Sequence, residues 1–238
     1  GGYLAVSTTE TLRNKSAQTM SRNNLMQIMW AVQGYSDTNH RLPPFATVNP
    51  DDGKLKLGWR VFLLPHIEEQ SLYEQIRIDE PWDSAHNRKF WNRMPQVYAH
   101  PMSGNAGQTH YRIFVGNGAL YGKDPWEKPG PLRGLGLVGI HGSKYNAANI
   151  PDGSANTIFA IEAADPVNWM KPEGLPYIKG QPVPTDVLGN HWGDDTFMVA
   201  FVDGSVRRMQ RKMPRDALRR LICPDDGEQP DWLAWEAR

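Results

Sequence analysis

The stretch His191 to Gly204, HWGDDTFMVAFVDG, sets a histidine and two aspartates, Asp194 and Asp195, ahead of an apolar run and an Asp203-Gly204 pair. An imidazole beside carboxylates is the raw material of acid–base pairs, metal centres and pinned loops alike. Asp203 and Gly204 are accounted for by turn chemistry: Asp-Gly is the strongest short hairpin signal, and its type I′ form needs positive φ at both central residues. That leaves His191, Trp192, Asp194 and Asp195 as a candidate ligand-binding group. In the plainer reading His191 hydrogen-bonds one of the aspartates and pins the loop that enters the strand.

A second oxygen-rich set lies in IPDGSANTIFAIEAAD. Asp152-Gly153 forms a turn, and the side chain of Asn156 can bond backbone groups on the way into a strand. Asp152, Asn156 and Glu162 are also oxygen ligands of the kind calcium takes, as are Asp194 and Asp195, although neither spacing is that of an EF-hand loop. Calcium is therefore the one cofactor for which the sequence supplies ligands, and the locked turn is the favoured role for Asp152, Gly153 and Asn156.

Other chemistries lack their patterns. The histidines at 40, 66, 86, 100, 110, 141 and 191 form no HExxH or HxH pair, so no catalytic zinc is expected. No GxSxG elbow offers a serine nucleophile. GLGLVG at 134–139 is a literal GxGxxG, but neither a strand before it nor a helix after it can be read, so it is a loop. No residue is singled out as catalytic.

The elements that must position these groups change character along the chain. Ser7-Thr-Thr-Glu10 has capping-box spacing, and Leu25, Ile28, Met29 and Val32 make one apolar stripe. The pattern predicts one helix over about 8–36 whose polar half, Arg13 to Arg22, stands clear of the core. Prolines at 43 and 44 end it. GWRVFLLPHIEEQSLYEQI predicts a helix starting near Pro65, with Ile67, Leu72, Tyr73 and Ile76 inward. PWDSAHNRKFWNRM predicts another, capped by Asp83 or Ser84. After Met102 come β-type runs, HYRIFVGNGAL, TIFAIEAAD and FMVAFVDGSVRRM, joined by Gly/Pro-rich loops. Phe197 to Val202 is apolar on both faces and reads as a central strand covered on both sides. PRDALRRL at 214–221 predicts a closing helix. Helices first and strands after imply an α+β fold with an antiparallel sheet.

Composition agrees. The 238 residues can bury a sizeable core, and 26 basic residues balance 26 acidic ones, which offers nothing to nucleic acid or a charged membrane surface. The lone Cys223 excludes an internal disulfide framework. Nine tryptophans are many for this length, and glycine (22) with proline (19) makes about a sixth of the chain, implying long ordered loops. No apolar run is long enough to span a membrane, and no signal peptide is visible.

Taken in order, RNNLMQIMWAVQGYSDTNHRLPP, GWRVFLLPHIEEQSLYEQ, PWDSAHN, IPDGSANTI and FMVAFVDGSVRRM resemble the planctomycete family of unknown function with the prepilin-type processing-associated H-x9-DG signature. The likeness covers roughly residues 20–210. Two departures stand out: eleven residues rather than nine separate His191 from Asp203, and His100-Pro101 stands where that family often has Cys-Pro, so a disulfide there is impossible. The resemblance implies a pilin/pseudopilin-like fold: a long N-terminal helix packed on a small antiparallel sheet. Residues 1–22 would be an exposed helix segment, 23–222 the domain and 223–238 a tail. It implies a non-enzymatic, extracytoplasmic protein with a structural or interaction role at the cell envelope, working through protein partners or self-assembly. It would be held at the membrane only by a segment absent from this chain. The alternative is a solute- or glycan-binding module using Trp-rich loops, and a hydrolase is a more distant third.

Overall fold

The computed structural model describes residues 2–49, 52–122, 140–141, 143, 145–228 and 230–237; the GLGLVG stretch lies outside them. In chain order the elements are helix α1 (Gly2–Asn39), strands β1 (Ala46–Val48) and β2 (Leu55–Gly58), helices α2 (Trp59–Phe62) and α3 (Gln70–Gln75), and strands β3 (Gln108–Arg112), β4 (Phe114–Val115) and β5 (Ile140–His141). Strands β6 (Ile158–Asn168), β7 (Leu175–Pro176), β8 (Thr196–Phe201) and β9 (Val206–Gln210) follow, and helix α4 (Arg215–Ile222) comes last. The fold is a mixed α+β arrangement with a long N-terminal helix and small antiparallel sheets. No helix among the described residues is long and apolar enough to cross a membrane.

The main sheet runs β3-β6-β8-β9, antiparallel throughout. β8 lies in its interior and is buried at every position, as its unbroken apolar run implies. Its alternate residues serve two cores. Met198 and Ala200, with Val202 just beyond, join Leu25, Ile28, Met29 and Val32 of α1. Phe197, Val199 and Phe201 join Leu218, Leu221 and Ile222 of α4. The sheet is thus sandwiched between α1 and α4, and a one-residue slip of β8 would exchange its two faces.

Helix α1 begins earlier than its capping box suggests and spans 38 residues, roughly 57 Å at the usual rise. Its 25/28/29/32 stripe is buried as expected, and Arg13 to Arg22 is largely exposed, but Ala17 and Ser21 in that stretch are buried. The helix ends at His40, which takes the left-handed φ of +56° usually left to glycine. Pro43 and Pro44 prevent continuation.

Three expectations need correction. The PWDSAHNRKFWNRM segment is not a helix but a loop with one 3-10 turn, Asn87–Phe90. Ser84 does cap it locally, accepting from the Asn87 N–H at 3.1 Å, but the buried Asn87 amide donates to the carbonyls of Arg77 and Pro81 at 3.0 Å each and holds the chain in a loop. The segment from 223 on is not a free tail. Cys223 is fully buried, Trp232 stacks against the Arg207 guanidinium at 3.7 Å, and the Ala237 N–H donates to the Arg208 carbonyl at 2.7 Å, covering the outer edge of β9. The Asp203-Gly204 turn is real but not type I′. Only Gly204 has positive φ, +90°, the Gly204 N–H bonds the Phe201 carbonyl at 3.0 Å and the Phe201 N–H bonds the Ser205 carbonyl at 2.9 Å, so the loop is one residue longer, a turn followed by a left-handed glycine. Asp203 caps that turn by accepting from the Ser205 N–H at 2.9 Å.

Nothing lies within 4 Å of a Cβ built on Gly204, so a side chain there meets only backbone strain. Gly204→Val is expected to cost roughly 1–3 kcal/mol, read as a lowered melting temperature. An unchanged melt would contradict the turn geometry.

Candidate functional site

The polar groups that gather in this fold centre on Glu162. It lies on β6, in the apolar run IFAIEAA, and is completely buried. Four donors from four parts of the chain converge on its carboxylate. The Met198 N–H of β8 reaches Oε2 at 2.8 Å, and the Trp192 indole N–H reaches the same oxygen at 3.0 Å. His100 Nε2 lies 3.2 Å from Oε1, which also accepts from the Ser21 hydroxyl of α1. Ser21 Oγ in turn accepts from the Tyr111 hydroxyl at 2.9 Å. Burial pushes the Glu162 pKa up, but the hydrogen bond and Coulombic attraction of His100, with the bonds from Ser21 and the Met198 N–H, outweigh it and hold the group below its ordinary value.

Three histidines pack around this carboxylate. The rings of His100 and His191 are 4.2 Å apart, those of His110 and His191 4.4 Å, and those of His100 and His110 5.1 Å. The β3–β6 pairing shifts register between Thr109 and Tyr111, at His110. There the Ala163 carbonyl accepts from both His110 Nδ1 and His191 Nε2, at 2.9 Å each. A carbonyl can only accept, so both rings carry a proton on those nitrogens. His100 Nδ1 accepts from the Met102 N–H at 3.3 Å, so its own proton sits on Nε2, facing Glu162. Burial, together with the neighbouring rings, lowers the pKa of His110 to about 4 and also lowers that of His191. Gly189 admits the His191 ring, since a Cβ there would lie 2.7 Å from Nε2 and 3.0 Å from the Glu162 carbonyl oxygen.

The chemistry of this cluster is that of a knot. A nucleophile relay needs a serine bonded to a histidine that is bonded to a carboxylate. Here Ser21 and His100 both donate to Glu162, and no bond joins Ser21 to a histidine among the described residues. Each of the three imidazoles spends one nitrogen as a donor, His110 Nδ1 and His191 Nε2 to the Ala163 carbonyl and His100 Nε2 to Glu162. No group of three or more His, Cys, Asp or Glu side chains placed to hold a metal occurs among the described residues.

The sequence candidates divide accordingly. His191 and Trp192 belong to the knot. Asp194 and Asp195 do not, and His191 pins its loop to the Ala163 carbonyl rather than to either of them. Asp194 pairs with Arg208 at 3.5 Å and bonds Thr196, while Asp195, at φ +58°, pairs with Arg211 at 3.0 Å. The calcium set of Asp152, Asn156 and Glu162 does not assemble. Asp152 accepts from the N–H groups of Asp226 and Gly227 at 2.8 and 3.1 Å, and Asn156 Oδ1 accepts from the Trp232 indole at 3.1 Å. The Asn156 amide does lock the turn, donating to the Asp152 carbonyl at 3.0 Å beside Gly153 at φ +91°. Ser21, His110, Tyr111 and the role of His100 escaped the sequence reading. The signal available was a glutamate where the pattern demands an apolar residue.

Tyr111 links the knot to a second buried charge. Its carbonyl accepts from the guanidinium of Arg60, which is fully buried and lies 4.6 Å from the centre of the Trp59 ring. Burial, with Arg112 nearby, pushes the Arg60 pKa down to about 9.

The family model described as "Protein of unknown function (DUF1559)" matches residues 13–181, well over half of the chain. The chain belongs to this family. The match takes in Ser21, Arg60, His100, His110, Tyr111 and Glu162, whereas His191, Trp192 and Met198 of this DUF1559 chain lie beyond its end. No curated protein and no solved structure matches.

Removing the carboxylate strands four buried donors, so Glu162→Ala is expected to cost on the order of 3 kcal/mol or more by denaturant unfolding. An unchanged midpoint would show that the knot contributes nothing to stability. The pH dependence has one sign throughout. Unfolded histidines take up protons as pH falls through about 6.5, whereas folded His110 resists to about 4 and folded His191 also resists. Stability present above pH 6.5 is therefore lost on acidification. Glu162, held below its ordinary 4.5, adds further loss below that pH. Urea midpoints are expected to fall between about pH 7 and pH 5, and a flat profile over that range would contradict the depressed histidines.

Proposed function

We propose that this chain is a non-enzymatic, pilin- or pseudopilin-like extracytoplasmic domain with a structural or interaction role at the cell envelope. The observation that carries this reading is the division of α1. Its second half is buried on the sheet, whereas Thr9 to Ser16 is exposed but for a half-buried Asn14, with Leu12 63% exposed. Ser21, tied to Glu162, marks the boundary between the two halves. A helix fixed at one end and projecting at the other suits presentation of a surface to protein partners or to further copies. Attachment to a membrane, on this reading, runs through sequence N-terminal to the helix. The balanced charge argues against nucleic acid as a partner.

Glycan binding through Trp-rich loops has less support. Trp59, Trp169 and Trp192 are buried singly, and Trp30 is exposed alone. Trp82 and Trp91 do stack, 5.1 Å apart, but each spends a face on the other.

Fractionation of native cells with an antibody to this domain is the direct test. The protein is expected in the envelope fraction and open to trypsin in intact spheroplasts. Recovery from the cytosol, protected from trypsin until lysis, would overturn the proposal.

A further inference from the structure

At the C-terminal end of α1, away from the Glu162 knot, an open cleft of 700 Å³ lies between the helix and the Asp203 turn. Its size is that of a small-molecule site. Gln33, Ser36, Asp37 and His40 line it from the helix side, and Asn146 and Asp203 from the other side. Gln33 braces the floor by donating to the Val202 carbonyl at 2.7 Å. Asp37 is exposed and makes no hydrogen bond or ion pair among the described residues, and Oδ2 of Asp203 is likewise unbonded there.

The charge of the cleft selects its occupant. A helix C-terminus carries the negative end of the macrodipole, which basic residues commonly offset. The last turn of α1 has none, and Asp37 adds a full negative charge to it. None of the described lining residues is lysine, arginine, phenylalanine, tyrosine or tryptophan, and His40 contributes the one imidazole among them. An anion would meet the Asp37 and Asp203 carboxylates with only the His40 imidazole to offset them, and a quaternary ammonium would find no cage of phenylalanine, tyrosine or tryptophan faces. A primary ammonium brings three N–H donors to carboxylate and carbonyl oxygens, and hydroxyl groups suit Ser36, Gln33 and Asn146.

We propose that this cleft binds a hydroxylated primary amine of amino-sugar size, with Asp37 receiving the ammonium. The site is separate from the knot and from the projecting end of α1, so the inference stands whether or not the envelope reading does.

The test is saturation-transfer NMR and calorimetry on the whole chain with glucosamine, glucose, glucuronate and choline as probes, in low salt. Glucosamine is expected to bind, with the other three weaker by on the order of tenfold or more. Salt should weaken it. Asp37→Asn removes only an exposed, unbonded charge, so its melting curve is expected to match the parent while glucosamine affinity falls on the order of tenfold. No signal from glucosamine, equal binding of glucose, or unchanged affinity in Asp37→Asn would each overturn the proposal.

Discussion

A carboxylate with no lysine or arginine against it among the described residues sits at the centre of this protein, and the rest of the fold is arranged to make that tolerable. Burying an ionised carboxylate costs several kcal/mol unless hydrogen bonds replace its water. Glu162 obtains them from a hydroxyl, an indole, an imidazole and a backbone N–H. These donors come from α1, the loop before β8, the loop before β3 and β8 itself. None of the four segments can leave without stranding the charge, so one side chain couples helix, sheet and two loops into a single unit. A hydrophobic residue at 162 would join the same segments by contact but would not fix their relative positions. A carboxylate with two oxygens and directional donors does.

The same constraint explains features that look unrelated. The β3–β6 ladder breaks its register beside Glu162, and the break lets the Ala163 carbonyl take two histidine donors. Two of those histidines are held neutral by burial, so they add packing and donors without adding charge. Gly189 supplies the only side chain small enough for the His191 ring to lie on β6. The polar half of α1 can project because its buried contacts shrink to the small Ala17 and to Ser21, a hydrogen bond to the centre rather than a broad apolar face.

What the sequence made legible were features fixed by local pattern. The 25/28/29/32 stripe and the six-residue apolar run of β8 dictate burial through their periods alone, and both are buried. Position-specific partners were not legible. His191 has two aspartates close in sequence, yet its partner is a carbonyl 28 residues away, exposed to it by a register shift that no periodicity encodes. PWDSAHNRKFW carries a good cap and helix formers, but the Asn87 side chain satisfies backbone groups that a helix would have satisfied itself. The Asp-Gly pair announces a turn. Its type depends on where β9 resumes, and Ser205 closing onto Phe201 leaves only Gly204 in the left-handed region.

Glu162 is one of two completely buried charges among the described residues, and the contrast between them is instructive. Arg60 is fully buried, yet its Nε and Nη1 make no hydrogen bond among the described residues. Its compensation is a tyrosine carbonyl and the face of Trp59, softer partners than a carboxylate. Guanidinium tolerates this because its charge is delocalised and weakly hydrated. A carboxylate concentrates its charge on two oxygens and needs a full set of donors. The two charges do not pair with each other; Tyr111 stands between them, its carbonyl on Arg60 and its hydroxyl on the Ser21 that serves Glu162. Pairing them directly would remove the need for Ser21, His100 and Trp192 at the centre, and with it the connection from the sheet to the projecting helix. Keeping the carboxylate clear of lysine and arginine is what obliges distant segments of the chain to meet there.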